Sequence, residues 1–293
     1  MKFGLHLPNS GALSPQADLL ALARRAEEIG FDAVWVFDHL FNPVELSPES
    51  RYSRGVYHNR PEMPYYDALI TLAAVAGATS RIRLGTRVLI AVYRNPILVA
   101  KQVGTLAALA GPGRVILGVG AGWMYEEFAS IGVPFEERFA RLDEHLAVVR
   151  QAWDKGTSEF DGEFYRHPAA GFLPVPTVPV PIIIGGTGDG ALRRVARLGD
   201  GWALPGPEPG PDAGTQLAAM LDRLRRICDE EGRNFDELVI VGSGPLSADE
   251  GFFDVLAEGG VAMCDLMLTD PSDLDLEVAT RFMQQIGARY AAT

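Results

Sequence analysis

The sequence predicts an α/β protein folded as a closed (β/α)8 TIM barrel with insertions, and two observations predict it. Short apolar runs alternate with longer segments of helical spacing, and the alternation recurs eight times. The chain has 293 residues, close to the roughly 250 that such a barrel needs before insertions. An open doubly wound sheet would use the same alternation but rarely needs eight units.

The elements follow in order. Residues 3–7 form a strand closed by Pro8. Ser14 offers an N-cap with Pro15 at the first helical position, and Asp18 in the first turn suits the positive end of the helix dipole. Leu19, Leu22, Ala23, Ala26 and Ile29 then recur at helical spacing until Gly30. A strand at 33–37, a helix at 66–78 and a strand at 82–91 come next. Asn95-Pro96 starts a helix that runs to Gly111, followed by a strand at 114–119 and a helix at 136–153. Strands at 182–184, 201–204, 238–241 and 262–268 complete the eight. Helices at 187–198, 212–231, 249–258 and 273–290 follow them in turn.

Two connections exceed ordinary barrel loops, and long loops in compact domains are usually functional or disordered. Residues 38–65, rich in proline, tyrosine and arginine, leave a strand and belong to the mouth. Residues 157–181 follow a helix, so they start on the opposite face, with a hairpin at 160–165 and prolines at 168, 174, 176, 179 and 181. No linker separates domains, and residues 1–293 read as one.

Composition narrows the function. The net charge of −12 argues against nucleic acid, whose phosphates would repel such a surface. Cys228 and Cys264 lack metal spacing and form no disulfide framework, which suits a reducing compartment. The chain opens on Lys2-Phe3-Gly4-Leu5 without a charged leader, and no apolar run is long enough for a bilayer. A cytoplasmic protein with no membrane partner is expected.

Candidate sites cluster at strand ends. Asp38 and His39 end the second strand; the histidine suits proton transfer or cofactor hydrogen bonding, or else it merely bonds backbone beside a capping aspartate. His6 lies within the first strand, where a satisfied core histidine is the commoner outcome. Tyr52, Tyr57 and His58 in the first long loop are candidates for touching substrate, or plain solvated residues. His145 and His167 receive no role.

Gly185-Gly186-Thr187-Gly188 lies between a strand of isoleucines and a helix. Its glycines let backbone amides approach an oxyanion, and the helix N-terminus adds a positive end, so it suits a phosphate. Gly186 to Ala191 also fits a dinucleotide-binding pattern. That pattern wants an acidic residue at the end of the following strand, where Leu204-Pro205-Gly206 stand instead. Gly118, Gly120 and Gly122, then Trp123, close the fourth strand; they would admit a flat ring to the backbone, or make a tight corner beside a packed tryptophan. No histidine pairs with Glu or Cys at metal spacing, and no G-x-S-x-G elbow occurs.

These motifs together resemble one family. The segment from Arg81 to Leu89, Arg94-Asn95-Pro96, the segment from Gly113 to Trp123, Glu126-Glu127-Phe128, Gly132-Val133, Arg138, Gly185-Gly186 and Gly199-Asp200-Gly201-Trp202 are similar to the luciferase-like monooxygenases. The likeness spans nearly the whole chain and looks closest to the branch using the deazaflavin coenzyme F420. It implies a bacterial-luciferase-like barrel with the cofactor ring over the C-terminal mouth and a phosphate at Gly185 to Gly188. It also implies a bulge in the third strand with a non-prolyl cis peptide at Arg87-Val88 and ring contacts from Asp38 and His39. A homodimer is implied as well. Two departures stand out: Trp123 occupies the place of a glutamate in the family's sugar-phosphate dehydrogenases, which argues against a sugar phosphate as substrate, and Arg87 precedes the bulge where smaller residues are usual.

The resemblance implies hydride transfer between F420 and a small organic substrate, with His39 giving or taking the proton. The alternative is a monooxygenase using FMN, supplied with reduced flavin by a partner reductase. An idle cofactor-binding protein and a phosphate-binding lyase or isomerase are the remaining readings; the last lacks a lysine or metal cluster at any strand end.

Overall fold

Eight strands, all parallel, close on themselves around a single indole ring. The computed structural model describes residues 1–50 and 60–290. In chain order the strands are β1 (Lys2–His6), β2 (Ala33–Val36), β3 (Arg83–Thr86) with its continuation β4 (Leu89–Ile90), and β5 (Val115–Gly120). An antiparallel hairpin, β6 (Thr157–Asp161) and β7 (Arg166–Gly171), stands apart. β8 (Ile182–Gly185), β9 (Gly201–Ala203), β10 (Val239–Pro245) and β11 (Met263–Met267) finish the barrel. The hydrogen-bonded order β3-β2-β1-β11-β10-β9-β8-β5 is closed by β3 against β5.

Side chains alternate between two cores, as the two-residue period of a strand requires. Outward-facing residues such as Val34, Val36, Leu84, Leu117 and Ile184 pack under the helices. Inward-facing Ala33, Trp35, Ile116, Ile183, Ala203, Val241 and Met263 fill the barrel. Trp35 fits because its neighbours on β1 and β3 are glycines: a Cβ on Gly4 would lie 2.3 Å from Trp35 Nε1, and one on Gly85 2.2 Å from Trp35 Cε3.

The helices are α1 (Leu19–Ile29), α2 (Ala68–Ala78), α3 (Pro96–Ala110), α4 (Tyr125–Ile131), α5 (Arg138–Lys155), α6 (Asp189–Leu198), α7 (Ala213–Glu231), α8 (Glu250–Glu258), α9 (Glu277–Phe282) and α10 (Ala288–Tyr290). Four local expectations need correction. Ser14 does not cap α1: Ser14–Gln16 is a single 3-10 turn, and Asp18 is the cap, its carboxylate accepting from the amides of Leu20 and Ala21 at 3.1 and 3.0 Å. The third strand is not continuous from 82 to 91, because the ladder breaks at a cis Arg87–Val88 peptide between β3 and β4. A short helix, α4, precedes α5 after β5, the fourth strand of the barrel. The final segment is not one helix: a 3-10 turn at Pro271–Asp275, capped by Asp270, precedes α9.

The hairpin excursion lies where its sequence position predicts, on the α5 side. Glu144 of α5 accepts from the amides of Glu163, Phe164 and Tyr165 in the hairpin turn. Phe172 donates its amide to the Gly156 carbonyl, and Lys101 of α3 donates to the Leu173 carbonyl. Among the described residues, no helix is long and apolar enough to cross a membrane.

Candidate active site

The end of β2 is held open by one asparagine. Asn9 is fully buried; its side-chain amide donates to the carbonyls of Phe37 and Tyr66, both at 2.9 Å, and its oxygen accepts from the Phe37 amide at 3.0 Å. It pins the strand end to the returning loop, so Asp38 and His39 leave the barrel in fixed directions. Asp38 turns inward and is buried. Its carboxylate takes a two-pronged bond from Arg94, at 2.7 and 2.9 Å, and accepts from the Ile90 amide at 2.9 Å. Arg94 also reaches Asp67 at 2.8 Å. Asp38 therefore anchors the chain just past the cis peptide, and its carboxylate is filled by partners of this chain.

His39 faces the mouth beside two aromatic rings, Tyr65 at 5.4 Å and Trp123 at 5.5 Å between centroids, both edge-on. Its Nδ1 lies 2.6 Å from the carboxylate of Glu127. Glu127 belongs to the first turn of α4 and is wholly buried. It also accepts from the amides of Leu40 and Phe41 and from the Tyr93 hydroxyl. Burial and the facing Glu127 carboxylate raise the Tyr93 phenol far above its usual range, so it is a standing O–H donor. The neighbouring Glu126 accepts from Ser47 N and Ser50 Oγ, tying the mouth loop to the same helix. Burial opposes ionisation of Glu126, but these donors outweigh it and lower its carboxyl below the usual range.

The cis Arg87–Val88 peptide turns its two side chains different ways. Arg87 points into the barrel, donating to the carbonyls of Val241 and Leu204 and lying 3.5 Å from Asp265. Asp265 in turn meets His6 Nδ1 at 2.8 Å, and all three side chains are buried. His6 is thus a core histidine, paired to a carboxylate. Val88 lies half-buried above this layer. It fills the room that side chains on the glycines would take: a Cβ on Gly120 would lie 2.7 Å from Val88 Cγ2, and one on Gly185 3.1 Å from Val88 Cγ1.

At the far side of the mouth, β8 ends in Gly185 and the chain turns through Gly186 at φ +118°, a conformation that favours glycine. Gly188 is the N-cap of α6, and no side chain caps that end. Gly186, Thr187 and Gly188 are exposed, so the positive end of a ten-residue helix opens to solvent beside backbone amides. Arg223 of α7 lies over this loop, donating to the Thr187 carbonyl at 2.8 Å and to the Asp189 carboxylate at 2.7 Å. The arrangement fits an anionic group: a small-residue cradle, a helix end and one arginine.

Residues 1–258 match the family described as luciferase-like monooxygenase. The chain belongs to that family. It is an oxidoreductase. An uncharacterized protein of Mycobacterium tuberculosis is 38% identical over 73% of this chain and 72% of its own length. F420-dependent glucose-6-phosphate dehydrogenases of Kineococcus radiotolerans and Amycolatopsis mediterranei are 36% and 38% identical over 79% and 72% of this chain. The match spans 64% of each, so this chain covers under two thirds of their length. Among solved structures, an F420-dependent secondary alcohol dehydrogenase, in complex with an F420-acetone adduct, superposes with a TM-score of 0.78 at 19% identity over 98% of both chains. A monooxygenase from Streptomyces bottropensis superposes at 0.75 and 21% identity, over 99% of this chain and 100% of its own. At such identities these structures bear on the fold, and they share this barrel.

Set against the luciferase-like resemblance, the structure brings together Asp38, His39, Val88, Gly120 and Trp123 around one part of the mouth, with Gly185 joined to them through Val88. Gly122, at φ +82°, turns the chain into the Trp123 segment. The Arg87 side chain lies with Asp265 inside the barrel, leaving its backbone at the bulge. Tyr52, Tyr57 and His58 fall outside the described residues. Sequence reading missed Glu127, Tyr93, Arg94 and Arg223 as parts of the site. The one signal for Glu127 was its place in the Glu126-Glu127-Phe128 segment that carries the family resemblance.

Proposed function

We propose that this chain transfers a hydride between coenzyme F420 and a small organic substrate, with His39 handling the accompanying proton. The likeness to dehydrogenases named for F420, at 36–38% identity, carries the choice of cofactor. When bound, the deazaflavin supplies a ring carbon that accepts or delivers a hydride. Gly186, Thr187 and Gly188 at the uncapped end of α6, with Arg223, would hold its phosphate. Val88 at the bulge would back its ring. His39 would exchange the proton through Nε2, since Nδ1 is engaged by Glu127, and proton transfer of this kind contributes about 10²–10⁴-fold to a rate. Tyr65 and Trp123 would wall the substrate and keep water from the reacting centre.

Titrating the purified protein separately with F420 and with FMN, followed by fluorescence, tests the cofactor. Tighter binding of F420 than of FMN is expected; tight FMN binding with none of F420 overturns the reading. Turnover is then assayed with glucose 6-phosphate and with 2-propanol, and His39→Asn should lower kcat by roughly 100-fold or more on whichever is accepted. We also infer that a second copy of the chain covers α2 and α3. Helix α2 carries no charged residue, and its Ile70 and Leu109 of the neighbouring α3 are 72% and 78% exposed.

A further inference from the structure

We propose that Glu127 is a positioning residue that fixes the tautomer and orientation of His39, an inference that rests on the acid–base reading of His39. A carboxylate is acceptor-only when ionised and has about four lone-pair sites. Glu127 fills them with four donors: His39 Nδ1 at 2.6 Å, the amides of Leu40 and Phe41, and the Tyr93 hydroxyl. With two backbone N–H groups and a phenol already donating, the histidine must also donate, so Nδ1 carries the proton. Nε2 is then the nitrogen that enters proton exchange.

The carboxylate is worth more here than at a surface. It is wholly buried at the start of α4, where the helix dipole favours negative charge and the low local dielectric strengthens its hydrogen bonds. It also holds the backbone that carries the ring, because Leu40 and Phe41 directly follow His39. One side chain therefore sets both the ring and its stem. Among the described residues around His39, Tyr93 donates to Glu127, Tyr65 and Trp123 meet the ring edge-on, and Asp38 is neutralised by Arg94. An imidazolium formed during turnover would find Glu127 as its counter-ion.

The test reads the ring directly in the cofactor-free full chain, by nitrogen NMR of protein labelled with ¹⁵N-histidine at a pH where the ring is neutral. The wild type should show His39 protonated at Nδ1. In Glu127→Gln, which keeps the shape and removes the charge, the Nε2–H signal should grow. F420 affinity should stay within about threefold while kcat falls by roughly 100-fold, a loss in turnover rather than in binding. If Glu127→Gln does not fold, Glu127→Asp is read in the same way, since its shorter side chain keeps the charge but not the reach. A His39 ring that stays Nδ1-protonated in the variant, or is Nε2-protonated in the wild type, overturns the proposal. The outcome separates from that of the wider reading. Full turnover in His39→Asn would sink acid–base catalysis by His39 while the NMR result still decides whether Glu127 sets the ring.

Discussion

Asp265→Asn removes a carboxylate that solvent does not reach and leaves Arg87 charged inside the barrel. The Asp265 carboxylate lies 3.5 Å from Arg87 Nε and 2.8 Å from His6 Nδ1. At that separation and an effective dielectric of about 20, the attraction between the two charges is about 5 kcal/mol. Arg87 keeps the carbonyls of Leu204 and Val241, which offsets part of the loss. Breaking a buried pair on one side costs about 3–5 kcal/mol. At roughly 2–4 °C per kcal/mol, the thermal midpoint should fall by roughly 6–20 °C.

Arg87→Met should cost a similar amount, because it strands the Asp265 carboxylate instead. The double variant removes both charges and should regain at least about 2 kcal/mol of the summed losses. Urea unfolding of the four proteins, followed by circular dichroism, gives the cycle. Losses that add to within about 0.5 kcal/mol would refute the reasoning, since independent sites behave that way.

Other outcomes are equally specific. Burial lowers the His145 imidazole to about 4. The unfolded chain takes up that proton near the ordinary 6.5, so stability present above pH 6.5 is lost as pH falls toward 4, by roughly 3 kcal/mol at 1.36 per unit. His145→Leu should flatten this acid limb; an unchanged slope in urea midpoints against pH excludes the assignment. A Cβ on Gly118 would lie 2.0 Å from the Thr86 carbonyl oxygen, part of the backbone, whereas one on Gly190 meets nothing. Gly118→Ala should therefore cost about 3 kcal/mol or prevent folding, and Gly190→Ala should be neutral within about 1 kcal/mol. Equal effects would remove the packing argument. Ile70→Glu should convert a dimer to a monomer in sedimentation velocity, and a dimer that survives it is not built on α2.

Beyond the eight βα units of the closed barrel, what the sequence made legible was local. Asn95 caps α3 with Pro96 at its first position, as the dipeptide announces. Gly30 ends α1 at φ +104°, and the glycine loop after β8 does open a helix. The errors were local too, but competitive: Asp18 outbid Ser14 as a cap because its carboxylate reaches two amides, and Pro15 found a 3-10 turn instead. The Glu127–His39 contact joins residues 88 positions apart, and the Arg87–Asp265 pair exists only once the barrel closes. Helix α4 spans seven residues, about two turns, too short for apolar periodicity to announce it. Its acidic first turn reads as a solvated helix start until the mouth loop folds over it.

The glycines at the end of β5 show how a motif can have a packing reason beside the one its sequence suggests. Read alone, Gly118, Gly120 and Gly122 suggest a backbone bared for a flat ring. In the fold, Thr86 and Val88 occupy that space: Gly118 lets the Thr86 carbonyl approach and Gly120 receives a Val88 methyl, with Gly185 receiving the other from β8. The Thr86 hydroxyl then donates to the Gly118 carbonyl at 2.7 Å, locking β3 to β5 just before the bulge. The glycines and the bulge are thus one device, in which missing side chains on two strands seat a valine from a third. In the proposed complex the ring would meet Val88, and the glycines would act by deciding where Val88 stands. Val88→Ala should then weaken F420 binding while leaving the barrel folded, because it empties the contact surface without forcing any backbone apart. Gly120→Ala should weaken binding from the opposite direction, by driving Val88 out of its seat. Unchanged F420 affinity in both variants would detach the bulge from the cofactor altogether.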